Sequence, residues 1–212
     1  CVCVAAMPSD AEPASALPAA DEDGVITLTQ DVTLTQETAI TNPVIIGNHT
    51  LTIEADVSVD IEFTEALEHV FQIGTGAIVV NGGSLSVNVD NAADYEPESG
   101  TGNIVFQKIN NTYTENPNLV LNSGSLTVVE GDGVDAQMAD NRPTMEINGG
   151  TASFNGNGMG PVYIVQNGGA VDFELKDGSI SAYVLMNAGT MTVSGTNTSS
   201  ADGMVFRAYA MD

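Results

Sequence analysis

Ile78-Val79-Val80-Asn81-Gly82-Gly83-Ser84-Leu85-Ser86-Val87 is the stretch that decides the fold. Two β-prone runs flank a tight turn. Asn and Gly at that turn accept positive φ, where Val or Leu would be strained. After the turn, Leu85 and Val87 face one way and Ser84 and Ser86 the other. A period of two is the strand signature. The phrase recurs at residues 44–53, 119–128, 145–154, 164–173 and 184–193. Successive starts are separated by 34, 41, 26, 19 and 20 residues. The basic unit is therefore about 20 residues, and the two long gaps hold either an inserted loop or a degenerate extra coil. No window of helical length shows a 3.6-residue period, and glycines interrupt every candidate helix.

Two topologies fit such a unit. Asn-Gly-Gly is a strong hairpin signal, which would make a meander, sandwich or barrel. If the turn is instead a corner, the units stack into a parallel solenoid. The columns favour the solenoid. Asn81, Asn122, Asn148, Asn167 and Asn187 take one position in five copies. Stacked at the strand spacing of about 4.8 Å, their amides can bond from coil to coil and satisfy polar groups at the core. Loss of one, as in Asn148→Leu, would then cost about 1–3 kcal/mol. Leu51, Leu85, Leu126, Ala152, Val171 and Met191 form a second column, and Ile53, Val87, Val128, Phe154, Phe173 and Val193 a third. These two columns are the expected core.

Residues 24–43 read as an entry coil, with short alternating strands at 24–29 and 32–35. The expected domain is an all-β, right-handed parallel β-helix over 24–212, of about eight or nine coils and roughly 40 Å in length. Residues 1–23 read as a leader or linker without fold, because Pro8 to Asp23 is rich in Ala, Pro and acid and has no period. The apolar start, Cys1 to Met7, reads as the remainder of a secretory segment, with Ala14-Ser15-Ala16 as a small-x-small cleavage pattern. A lipidated Cys1 on a polar tether is the other reading. At the far end, Phe206 to Met211 either covers the last coil or leads into further coils, since a solenoid needs caps.

The entry at residues 24–34, Leu51-Thr52-Ile53 and the repeated Asn-Gly-Gly-Ser-Leu-Ser-Val together resemble the right-handed parallel β-helix, pectate-lyase-like in fold, of bacterial surface and adhesin-like proteins. The resemblance spans about 24–212 and rests on repeat rhythm. It implies a secreted or wall-attached module. The same fold also carries lyases, hydrolases and phage spikes, so fold alone does not settle activity. A family lyase would imply a basic catalytic residue and carboxylates that bind calcium. This chain offers only Lys108, Lys176, Arg142 and Arg207, in unrelated surroundings. A family hydrolase would imply a close set of aspartates.

Charge narrows the partners. Four Lys and Arg against 28 Asp and Glu give a formal net charge of -24. Such a surface repels nucleic-acid phosphates, anionic membranes and acidic polysaccharides. No stretch approaches the roughly 18 apolar residues of a spanning helix. Asp132 and Asp135, within Glu130-Gly131-Asp132-Gly133-Val134-Asp135, are the candidate calcium loop, because alternating carboxylates and glycines can wrap a hard cation. Asp90, Asn91 and Asp94 form a secondary candidate. His49 and His69 are isolated, and no other cofactor is expected. Three Asn-x-Ser/Thr matches, at Asn48, Asn110 and Asn197, fit chance in so Asn- and Thr-rich a chain.

One surface feature stands out. Thr50 and Thr52, Ser84 and Ser86, Ser125 and Thr127, Thr151 and Ser153, and Thr190 and Thr192 would share one outward strand position. Stacked, they make a flat hydroxyl array, broken at Ala170 and Asp172. Such a face suits β-propensity on a solvated sheet, a carbohydrate or cell-surface protein as ligand, or an ice-binding template. The expected function is a non-catalytic structural or adhesive module, with end-to-end self-association through the solenoid ends. The alternatives are a polysaccharide lyase or glycoside hydrolase, and then an ice-binding solenoid.

Overall fold

The computed structural model describes residues 14–63, 69–89, 102–105, 117–129, 134–135, 144–195 and 205–209. Among these there is no helix. The first coil holds β1 (Ile26–Thr27), β2 (Val32–Leu34) and β3 (Thr38–Ile40). The second holds β4 (Val44–Gly47), β5 (Thr50–Glu54) and β6 (Ser58–Phe63). Thereafter strands run through the corners. β7 (His69–Ile73) leads into β8 (Ala77–Val89), and β9 (Gly102–Val105) into β10 (Leu119–Val129). β11 (Val134–Asp135), β12 (Thr144–Ile147), β13 (Thr151–Gln166), β14 (Ala170–Met186), β15 (Thr190–Gly195) and β16 (Val205–Tyr209) complete the order.

Among the described residues every strand pairing is parallel. Hairpins would have made antiparallel pairs, so the Asn-Gly turns are corners and the fold is a parallel β-helix. It has three faces. β1, β4, β7, β9 and β11 stack on the first. The second runs through β2, β5, the first half of β8 and of β10, β12, and the last residues of β13 and β14. The third runs through β3, β6, the second half of β8 and of β10, the starts of β13 and β14, and β15. The third face thus carries seven rungs among the described residues, about 29 Å of axis at the strand spacing.

Two expectations change here. The copy at 44–53 is out of phase with the others by one face. Leu51 pairs with Ile78 and not with Leu85, and Ile53 pairs with Val80 and not with Val87. Leu85 and Val87 instead face Val59 and Ile61. The 34-residue gap was therefore a phase error. The 41-residue gap is one coil, because Ile78 pairs directly with Leu119. The 41-residue gap is thus an insertion within one coil, and the described residues give seven rungs on the third face.

The core is a set of one-residue columns. Val32, Leu51, Ile78, Leu119, Met145 and Ile164 stack inside the second face, all buried. Inside the third, Val59, Leu85, Leu126, Ala152 and Val171 form one column, and Ile40, Ile61, Val87, Val128, Phe154 and Phe173 another. Burying a Leu, Ile or Phe of this kind stabilises by about 1.5–3 kcal/mol. Phe154 and Phe173 stack with ring centroids 5.2 Å apart and planes 19° from parallel. Ala152 lies beside this larger pair, a large-with-small alternation that keeps the coil cross-section constant.

Ahead of the boundary expected at residue 24, Ala14 bridges Val32. Its N–H donates to Asp31 O at 2.9 Å, and Thr33 N–H donates to its carbonyl at 2.7 Å. Ala14 and Leu17 pack against the core. They cover the first coil on its second face, pairing backbone groups of β2 that an open parallel edge would leave unpaired.

Candidate functional site

The third face presents its outward positions as three rows along the axis. The first row is Ser58, Ser84, Ser125, Thr151, Ala170 and Thr190. The second is Asp60, Ser86, Thr127, Ser153, Asp172 and Thr192. The third is Glu62, Asn88, Val129, Asn155, Glu174 and Ser194. Rungs repeat at about 4.8 Å and alternate residues along a strand at about 6.7 Å. Side chains bond both across and along this grid. Ser84 Oγ lies 3.0 Å from Ser58 Oγ, and Ser58 Oγ donates to Asp60 Oδ2 at 3.2 Å. Asn155 Nδ2 donates to Glu174 Oε2 at 2.9 Å.

Of the expected array, Ser84, Ser86, Ser125, Thr127, Thr151, Ser153, Thr190 and Thr192 share this face. Thr50 and Thr52 do not. They belong to the second face, opposite Ala77 and Val79. The phase error at the first copy placed them wrongly, and the structure puts Ser58 and Asp60 there instead. The face is thereby more acidic than the sequence suggested. Asp60 with Glu62 and Asp172 with Glu174 bracket a neutral centre, and all four are exposed. The two acidic pairs are four rungs apart, about 19 Å.

The asparagine column is real over four of its five members. Asn148 Nδ2 donates to Asn122 Oδ1 at 2.9 Å, Asn167 to Asn148 at 2.8 Å, and Asn187 to Asn167 at 2.8 Å. Asn148 Nδ2 also reaches Glu146 Oε1 at 2.9 Å. Asn81 stands apart. A register shift sets it opposite Ser123, and its Nδ2 donates to the Glu54 carboxylate at 3.2 and 3.4 Å. All five are exposed, so the ladder clips the outside of a corner and does not line the core as expected.

Among the described residues the buried amides are Asn118 and Gln166, which the repeat did not single out as sites. Asn118 donates to Gly76 O at 3.0 Å at the opposite corner. Gln166 fills the inward column after Leu121 and Ile147 and donates to Thr190 O at 2.9 Å, while its buried Oε1 is unpaired. A signal for Gln166 was its column position, where the other copies carry aliphatic residues. Asn118 left none, since only its coil has a buried amide there.

Asp132, Asp90, Asn91, Asp94, Lys108 and Arg142 lie outside the described residues, as do Asn110 and Asn197. Asp135 ends β11 opposite Val105, and Arg207 on β16 is opposite Ser181. His49 Nδ1 stands 3.7 Å from Asp31 Oδ1, which also accepts from Thr50 N–H at 2.9 Å. Among the described residues, no three His, Cys, Asp or Glu side chains gather as a metal site, and no helix is long and apolar enough to cross a membrane.

Tyr163 and Tyr183 pair across adjacent coils of the second face, with ring centroids 5.0 Å apart and ring planes tilted by 34°. Comparison with protein-family models, curated proteins and solved structures gives no match.

Proposed function

We propose that the chain is a non-catalytic structural or adhesive module of an extracellular bacterial surface protein, on a β-helix of the pectate-lyase-like kind. The observation that carries this reading is the third face, whose polar rows run over six rungs, about 24 Å, with hydroxyls at the centre and carboxylates toward both ends. A long row of this kind suits contact with an extended ligand, and rows of hydroxyls can exchange hydrogen bonds with a neutral glycan as readily as with water. Acidic pairs set far apart on an exposed sheet have neither the enclosure nor the convergence that glycosidic chemistry uses. The net charge of -24 favours neutral over acidic polysaccharides as the ligand. Asp60 and Asp172 interrupt the hydroxyl grid, which weighs against an ordered-water template for ice.

A glycan array read beside an assay for uronic-acid and glycosidic cleavage tests the proposal. Binding without turnover, lost in Thr127→Arg at the centre of the face, is the expected result. Turnover abolished by Asp132→Asn would replace the adhesive reading with an enzymatic one.

A further inference from the structure

Of the chain's five Asn-Gly steps, three take the same corner position in the repeat: Asn81-Gly82, Asn148-Gly149 and Asn167-Gly168. Each pairs an exposed carboxamide with a glycine that leaves the following amide nitrogen sterically open. That is the arrangement in which the nitrogen can attack the carboxamide carbon, form a five-membered imide and release ammonia. Water then opens the imide to an aspartyl or isoaspartyl residue. Carboxamide nitrogen leaves as ammonia, one water is consumed, and no oxidant or reductant is involved.

The structure separates the three. Closure requires the carboxamide to swing free and the glycine N–H to give up its proton. Asn148 is held on both sides, donating to Asn122 and accepting from Asn167. Asn167 is held likewise between Asn148 and Asn187. Their glycines meet the preceding coil only loosely, Gly149 N lying 3.4 Å from Leu121 O and Gly168 N 3.3 Å from Ile147 O. Asn81 has a different setting. It sits in a bulge, where both Asn81 and Gly82 oppose the single residue Glu54. Gly82 takes φ 109°, outside the strand range. The Asn81 amide is tied only through its nitrogen, and at longer range, to the Glu54 carboxylate.

We infer that Asn81 is a site of spontaneous deamidation and that the asparagine ladder protects Asn148 and Asn167 from the same reaction. The product matters to the fold. A carboxylate at position 81 would meet the Glu54 carboxylate where an N–H···O bond stood, and an isoaspartyl link would add a backbone atom at the corner. Conversion at Asn81 therefore loosens the second coil from the third.

Peptide mapping by mass spectrometry, after incubation of the folded protein at mildly alkaline pH, reads all three sites at once. Conversion at Asn81 should outpace that at Asn148 and Asn167 by roughly five-fold, the factor set by one net hydrogen bond. In denaturant the three rates should converge, because the local Asn-Gly sequence is shared. Asn81→Gln should remove the early product, and Asn148→Ala, which opens the ladder, should speed conversion at Asn167. The inference fails if Asn148 or Asn167 converts as fast as Asn81 in the folded chain. It fails equally if the ranking persists in denaturant, since sequence and not fold would then set it.

Discussion

Gly169→Ala tests whether successive coils meet backbone to backbone at the corner between the second and third faces. Gly169 has φ 70°, and Gly47, at a different corner, has φ 64°. Alanine at either position pays the left-handed penalty of about 1–2 kcal/mol. The surroundings differ. A Cβ at Gly47 meets nothing within 4 Å. At Gly169 it would lie 2.6 Å from Gly150 O, 2.8 Å from Gly149 C and 3.0 Å from Gly149 O, all backbone atoms of the preceding coil. Backbone cannot rotate away, so the coils must part by several tenths of an ångström. That strains the bonds from Ala170 N–H to Gly150 O at 2.9 Å and from Asn167 to Asn148 at 2.8 Å. Overpacking of this kind adds about 1–3 kcal/mol. Gly169→Ala should thus lose about 2–5 kcal/mol and Gly47→Ala about 1–2. Urea unfolding followed by far-ultraviolet circular dichroism measures both. Equal losses would refute close stacking at the corner and, with it, the registration of the glycine columns.

Further perturbations probe the other devices. Asp56 is the one non-glycine residue with positive φ among those described, at the corner position where the later coils carry glycine, so Asp56→Gly should raise the urea midpoint by the equivalent of about 0.5–1 kcal/mol. Asn148→Ala breaks ladder bonds whose partners remain hydrated, and a loss of about 1 kcal/mol is expected, where 3 or more would mean that the ladder is buried after all. Phe173→Ala removes one ring of the core stack and should cost about 3–5 kcal/mol, detected as a lowered thermal midpoint. Gln166→Met trades the bond to Thr190 O and longer ones to Gly168 O and Gly169 O against an orphaned side-chain oxygen, and stability should stay within about 1 kcal/mol of the parent by the same urea titration.

How much of this could be read from residues alone depends on whether a position repeats. Wherever Asn, Gly and alternating apolar residues recur with the same corner between them, the columns read correctly down to Phe154 over Phe173, but at the last rung Met191 is only half-buried and Val193 is exposed, so that rung was not the core expected of it. Failure came at the one corner whose chemistry differs. Residues 44–53 have a turn at Gly47-Asn48-His49 that mimics the later Asn-Gly-Gly, but it joins the first face to the second. A β-helix has more than one corner per coil, each needing turn residues, and hydrophobic alternation is the same on every face. Sequence period therefore fixes which residues point inward but not on which face they stand. The true counterpart of the later corners in that coil is Ala55-Asp56-Val57, hidden because Asp takes the left-handed conformation that glycine takes elsewhere. This substitution moved Thr50 and Thr52 onto the wrong face and concealed Asp60. The consequence reaches the candidate site. A hydroxyl array that looked uninterrupted at its first rung is acidic there, so each end of the polar face is marked by a carboxylate pair. Any ligand that recognises the whole face must place neutral groups over Ser86, Thr127 and Ser153 and tolerate negative charge about 10 Å to either side.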